Sequence, residues 1–159
     1  MNGQFRGEAK EFEEKVLQVK RVSKKVKGGN KIGFSVLVII GDRNGRVGVG
    51  LGKAPDVVTS IRKGVRRAKK NVVTVPLEGT TIPHELRVKL GAAKILLKPA
   101  PKGAGIIAGG PVRAVAELAG ISDISAKILG TSNKASNVYA TLEALRRIGQ
   151  MEAMRDQKK

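Results

Sequence analysis

Seven lysines and arginines fall between Lys15 and Lys31 without one carboxylate among them. Lys20, Arg21, Lys24, Lys25, Lys27 and Lys31 stand at irregular intervals around Gly28, Gly29 and Asn30, with Ser23 in their midst. This composition reads as a flexible basic loop between strands, able to bring cationic side chains and free backbone amides to phosphate oxygens. A second cationic series follows a helical period: Arg62, Lys63, Arg66, Arg67, Lys69 and Lys70. Either it is a solvated helix face, or part of it meets phosphate; six cations with no anion lack the opposite-sign pairing usual on a merely soluble helix.

Catalytic and metal chemistry find little support. The chain has no cysteine and a single histidine, so disulfides, thiol nucleophiles and thiolate or imidazole-rich metal sites fall away. His84 has no assignable serine partner, and Glu78, Glu85, Glu117 and Asp123 show no spacing that calls for paired acid and base roles. Asp42-x-Asn44-Gly45 offers calcium-type oxygens without the rest of a calcium loop. Gly48 to Ala54 resembles a phosphate-binding loop, but Val47 and Ala54 stand where glycine and a hydroxyl are required. The letters Gly103-Ala104-Gly105-Ile106-Ile107-Ala108, with Asp123 further on, match a dinucleotide fingerprint. That fingerprint needs more parallel βα units than the second half of the chain supplies, and Gly109-Gly110-Pro111 pushes the helix start past the glycines. The expectation is a protein with no catalytic residue, cofactor, metal or small-molecule substrate.

The whole chain bears out a basic character: 159 residues, 31 Lys or Arg, 13 Asp or Glu, net charge +18. Residues 15–31 carry +7 and residues 32–71 another +7, so most of the excess lies in 57 consecutive residues. A hydrophobic fraction of 41% suffices for a core, and 3% aromatic residues disfavours recognition by stacking successive bases. No apolar run approaches bilayer length, and Glu8, Glu11, Glu13 and Glu14 make the N-terminus too acidic for a leader, so a soluble, unprocessed chain away from membranes is expected.

The elements that must position these groups follow from pattern. Lys15 to Val26 fits either a helical stripe or a strand, and its β-branched residues favour the strand. Phe34 to Ile40 reads as a strand, and Asn44-Gly45 as a tight reversal leading to a return strand from Arg46 to Gly52. On that strand Val47, Val49 and Leu51 alternate with Gly48, Gly50 and Gly52, leaving a bare face for a packed helix, a neighbouring strand or an RNA backbone. Ala54-Pro55-Asp56 opens a helix through Lys70 with an apolar stripe of Val57, Val58, Ile61, Val65 and Ala68. Val72 to Leu77 is a short strand or linker, and a boundary falls near residue 75. Beyond it come strands around Ile82, Arg87 to Lys98 and Ile121 to Leu129. A helix runs from Pro111 to Ala119 on Val112, Val115, Ala116 and Ala119. A last helix runs from Asn137 to Ile148 on Val138, Leu142, Leu145 and Ile148, stopped by Gly149.

The blocks Arg21 to Gly29, Gly41 to Ala54, Gly105 to Gly110, Val112 to Val115, Glu117 to Gly120 and Gly130 to Thr141 resemble the bacterial and organellar small-ribosomal-subunit protein five family from about Glu11 to Ile148. The resemblance implies an α+β fold. Residues 11–74 would form a unit similar to a double-stranded-RNA-binding domain, three antiparallel strands plus a helix, and residues 75–149 an α+β unit with a sheet and two helices. Residues 1–10 and 150–159 are expected as flexible termini.

It further implies a structural, non-enzymatic role in a bacterial cytoplasmic or organellar ribosome. The partners would be small-subunit ribosomal RNA, the fourth and eighth small-subunit proteins and the nearby messenger RNA path, with effects on assembly and translational accuracy. The segment from Ser23 to Asn30 would reach the RNA helix where spectinomycin binds. The candidate RNA-binding residues are Lys20, Arg21, Ser23, Lys24, Lys25, Lys27, Gly28, Gly29, Asn30, Lys31, Arg43, Arg46, Lys53, Arg62 and Arg66. Two readings of other classes stand beside this one: a free-standing duplex-RNA-binding regulator, and a nucleotide-binding enzyme using the Gly103 to Ala108 loop. The family pattern before the last helix departs here to Asn133-Lys134-Ala135-Ser136 and Tyr139, and Pro111 replaces a small residue.

Overall fold

A computed structural model describes residues 12–157; the expected flexible terminus at 1–10 lies outside them. The first sheet has the order β1-β2-β3-β4, from strands Glu13–Val26, Gly29–Gly41, Arg46–Ala54 and Val73–Thr74. The ambiguous segment is therefore strand, paired antiparallel to β2 along its whole length. An irregularity between Val16 and Gln18 gives β1 one extra residue. Such a bulge turns a side chain across the sheet, and here Leu17 joins the main core.

Helix α1, Val57–Lys70, follows β3. Its N-cap is Asp56, whose carboxylate accepts from the Thr59 amide at 3.0 Å, so Pro55 precedes the helix rather than standing in its first turn. The bare glycine face of β3 carries this helix, which decides between the candidates left open by the sequence. A Cβ built on Gly48 would lie 2.5 Å from Ala68 O, on Gly50 2.1 Å from Gly64 O, and on Gly52 2.0 Å from Ser60 O. The buried stripe of α1 is accordingly Ser60, Gly64 and Ala68. The expected stripe of larger residues is rotated: Ile61 and Val65 flank the contact and Val58 is 59% exposed. Small residues on both partners win because they let two backbones approach closely, and bulky ones fit only beside the seam.

Both faces of the first sheet are covered. Val36, Val38 and Ile40 pack with Ala68 beneath α1. Leu37, Ile39, Val47 and Val49 belong to a larger cluster that includes α2 and α3 side chains such as Val115, Leu118 and Leu145. The second sheet, order β5-β6-β8-β7, uses Leu86–Leu90, Ala93–Pro99, Ile124–Ile128 and Ile106–Ile107. Helix α2 spans Gly110–Ala119 on its predicted residues, and α3 spans Lys134–Gln157. Ile82 is buried but lies in a loop rather than a strand.

Three further expectations change. The reversal after β2 is no two-residue turn: Asp42 to Gly45 form a longer loop with positive φ at Arg43 and Gly45 rather than at Asn44. Asp42 Oδ1 accepts from the Asn44 and Arg46 amides, while the Arg43 and Gly45 amides donate to Leu118 O and Ala119 O at the end of α2. Docking on α2, not hairpin chemistry alone, sets this loop. The last helix starts before Asn137, with Asn133 Oδ1 accepting from the Ser136 amide, so the altered cap sequence still caps. It also continues through Gly149, where a stop and a polar tail were expected. Gly149 packs against the linker, a Cβ there lying 3.0 Å from Thr74 O, so close approach explains this glycine better than termination does.

Candidate nucleic-acid interface

Beyond Phe34 the β1–β2 pair outruns β3, whose last partner is Ala54 opposite Phe34. The basic segment is thus no flexible loop. Ser23 pairs with Ile32, Lys24 with Lys31, Lys25 with Asn30 and Val26 with Gly29, leaving only Lys27 and Gly28 as the turn. Gly28 has φ +97 with nothing within 4 Å of a built Cβ, so its glycine serves backbone conformation and not packing. The sequence suggested a loop because glycines and lysines depress strand propensity; the long pairing with β2 overrides that preference.

Lys20, Arg21, Ser23, Lys25, Lys27, Gly28, Gly29, Asn30 and Lys31 are all exposed on this projecting hairpin. Lys24 is placed by its backbone pairing. Lys53 is exposed near the end of β3, opposite Ser35, and Arg62 and Arg66 are exposed on the outer side of α1 with Lys63, Lys69 and Lys70. Among the described residues, and leaving Lys24 aside, none of these exposed hairpin and helix cations lies within ion-pair distance of a carboxylate. The remaining cation of the helical series is engaged: Arg67 Nη1 donates to Leu51 O at 2.7 Å.

Arg43 and Arg46 do not join this group. They stand at the other end of the sheet, where Gly41 pairs with Glu13. The Arg43 guanidinium pairs with Glu13. Arg46 Nε donates to Asp42 Oδ2 at 2.7 Å, and its guanidinium carbon lies 4.9 Å from the centre of the Phe12 ring. Burial tends to raise the Asp42 pKa, but the Arg46 hydrogen bond and the Asn44 and Arg46 amides together leave it below the ordinary carboxylate value. These two arginines fasten a loop. Sequence counting could not separate them from the free cations because their carboxylates are 30 residues and four residues away.

The glycine loop of the second unit is also engaged internally. Asp123 Oδ1 accepts from the Gly105 amide at 2.8 Å and the Gly103 amide at 3.2 Å. The acid that matched a ribose-binding position therefore fills the place a pyrophosphate would need. Its pKa is lowered first by a hydrogen bond from Thr80, then by the Gly105 amide, against an opposing effect of burial. A carboxyl depressed in the fold lends stability that is complete above its unfolded pKa, about 3.9, and drains away as pH falls through the folded value. Asp123→Asn is expected to melt at a lower temperature at pH 7 and to lose part of the acid sensitivity of the native chain below about pH 4. Melting curves from pH 7 to pH 2 check this; parallel profiles for the two proteins would contradict it.

His84 lies in a loop, with Nε2 3.8 Å from Glu152 Oε1 and Nδ1 3.2 Å from Glu85 O. Sequence reasoning left Ile32 unmentioned, took Phe34 only as a strand residue and took Lys63 only as part of the cationic helix series. They line an open notch of about 520 Å³ where the hairpin leaves the sheet, together with Val22, Lys31 and Lys53. The early end of β3 makes this notch, and strand length was the one boundary that would have revealed it. No described helix is long and apolar enough to cross a membrane.

Comparison with protein families gives two matches: ribosomal protein S5, N-terminal domain, over residues 12–76, and ribosomal protein S5, C-terminal domain, over residues 88–158. The first takes in the basic hairpin, β3 and α1, and the second takes in β6, the glycine loop, α2 and α3. With both matches in chain order on the mixed α and β architecture described above, the chain belongs to the ribosomal protein S5 family of structural, non-enzymatic components of the small ribosomal subunit.

Proposed function

We propose that this protein binds small-subunit ribosomal RNA through the projecting half of the β1–β2 hairpin and the outer side of α1. One observation carries the reading: among the described residues, the exposed cations of these two elements have no carboxylate within ion-pair distance, whereas Arg43, Arg46 and Lys15 at the far end are each paired. An unpaired, clustered set leaves its charge available for phosphates and for counterion release from RNA. Residues 11–74 would act as the RNA-binding unit and residues 75–149 as a second α+β unit. The family resemblance supports a position near the decoding region where messenger RNA enters, with the fourth and eighth small-subunit proteins as neighbours. It also supports a hairpin tip near the spectinomycin-binding RNA helix, and a role in assembly and accuracy in a bacterial or organellar ribosome.

The test is affinity for small-subunit ribosomal RNA as a function of salt. With about six phosphate contacts, the slope of log K against log salt should lie near −4 to −5. Replacing Lys24, Lys25 and Lys27 together by Ala should flatten the slope by roughly 2 to 3 and leave the melting temperature nearly unchanged, since the charges of exposed Lys25 and Lys27 contribute little to folding. A flat salt dependence in the native protein would remove the reading. Loss of the folded circular-dichroism signal in the triple variant would show that these lysines serve the hairpin instead.

A further inference from the structure

We infer that the notch at the root of the hairpin holds one unpaired nucleotide of the bound RNA. This rests on the RNA-binding reading and adds a site to it. The notch is lined by Val22, Ile32, Phe34 and Pro55 with Lys31, Lys53 and Lys63, and strand alternation divides them: Ile32 and Phe34 face the α1 side, where Lys63 stands, while Val22, Lys31 and Lys53 face the other side of the sheet. Its volume, about 520 Å³, is in the range of pockets that take small molecules. An edge notch with an aromatic ring on one side and lysines on both matches a ligand that is anionic at one end and flat and weakly polar at the other. A nucleotide has that division; an aliphatic acid or a bare phosphate has only half of it.

The backbone adds a recognition edge. Phe34 O accepts from Ser60 Oγ at 3.1 Å, so the polar groups of Phe34 point away from β1. Backbone direction repeats every second residue along a strand, so those of Ile32 point the same way. Among the described residues no strand pairs with β2 on that side beyond Phe34, because β3 ends at Ala54. The Ile32 amide and carbonyl therefore face the notch as one donor and one acceptor, suited to the edge of a base. A single ring explains how an aromatic-poor chain takes one base and not a stacked series.

The experiment compares two RNA stems, one fully paired and one carrying a single unpaired 2-aminopurine, with binding followed by anisotropy and by the fluorescence of the probe base. The bulged stem should bind about tenfold more tightly, with its fluorescence quenched as the base stacks. Phe34→Leu should abolish that preference and leave affinity for the paired stem unchanged. The pair Lys53→Ala and Lys63→Ala should weaken the bulged stem about tenfold and flatten its salt slope by roughly 1.5 to 2. Both lysines are exposed, so this arm stands even where Phe34→Leu disturbs folding. Equal affinity for the two stems with unchanged fluorescence overturns the notch and leaves the RNA-binding reading intact. Binding of neither stem overturns both. Displacement of the bulged stem by a poly-glutamate peptide whose own binding needs Lys53 and Lys63 overturns the nucleotide in favour of an acidic chain.

Discussion

Gly50→Val is expected to abolish the native fold. Even the first carbon added at Gly50 would sit 2.1 Å from Gly64 O and 2.5 Å from the Ala68 amide nitrogen, and both are backbone atoms of α1 that no rotamer change can move aside. The helix would have to lift from the sheet along its middle turn, breaking the close contact that Gly48 and Gly52 make on either side. Overpacking a well-filled core costs about 1–3 kcal/mol and more where backbone must shift, against a total stability of about 5–15 kcal/mol. Because valine adds two methyl groups to a site that rejects one carbon, the cost runs past the usual range and into the total. Circular dichroism at 25 °C and a melting curve measure it. The same change at Gly28, which has open space around it, supplies the control: there only the positive φ is strained, and the body of the protein should melt as before. A cooperative, native-like transition for Gly50→Val would mean that α1 does not lie on β3 as described.

The second large effect concerns separation of the two units. A fragment ending at residue 76 retains the hairpin, α1 and the cluster of Val36, Val38 and Ile40, yet it should fail to fold as a stable monomer. Leu37, Ile39, Val47 and Val49 are at most 1% exposed in the whole chain because α2 and α3 cover them. Uncovering four such side chains forfeits roughly 1.5–3 kcal/mol each, a sum comparable with the whole stability of a domain. The exposed face would also exceed what soluble monomers present. The intact chain should accordingly unfold in one transition, with both sheets lost together. A soluble, monomeric 1–76 fragment with the far-ultraviolet spectrum expected of its sheet and helix would refute the shared core.

These expectations also show what the sequence could and could not convey. The alternation of Val47, Val49 and Leu51 with three glycines announced a strand with one bare face, and Phe34 to Ile40 announced its neighbour. Periodicity alone did not announce that β2 is buried on both faces, since a run apolar at every position fits a helix or a strand. The covering of its second face is set by packing between residues some 80 to 110 positions apart, such as Leu37 with Val115 and Leu145 in one cluster, and no local pattern encodes that. The cationic residues were legible as a group, but whether each had a partner was not. Arg43 and Arg62 look alike in sequence, and only the pairing of β1 with β2 brings Glu13 to the former. Gly103 to Ala108 matched the dinucleotide letters although the chain lacks the fold around them, and the likeness has a related cause: a glycine loop that cradles an anion and one that cradles its own aspartate share the same backbone requirement.

The hairpin that outruns its sheet has a mechanical consequence. From Val22 to Val26 it extends past the end of β3 for five residues, about 17 Å at the usual rise of a strand, braced only at its root. It behaves as a cantilever: a tilt of about 10° at the root carries the tip some 3 Å over that span, the difference between a hydrogen bond and none. Substitutions around Gly33 and Ala54, far from the tip, would therefore shift what the tip touches without altering a single tip residue.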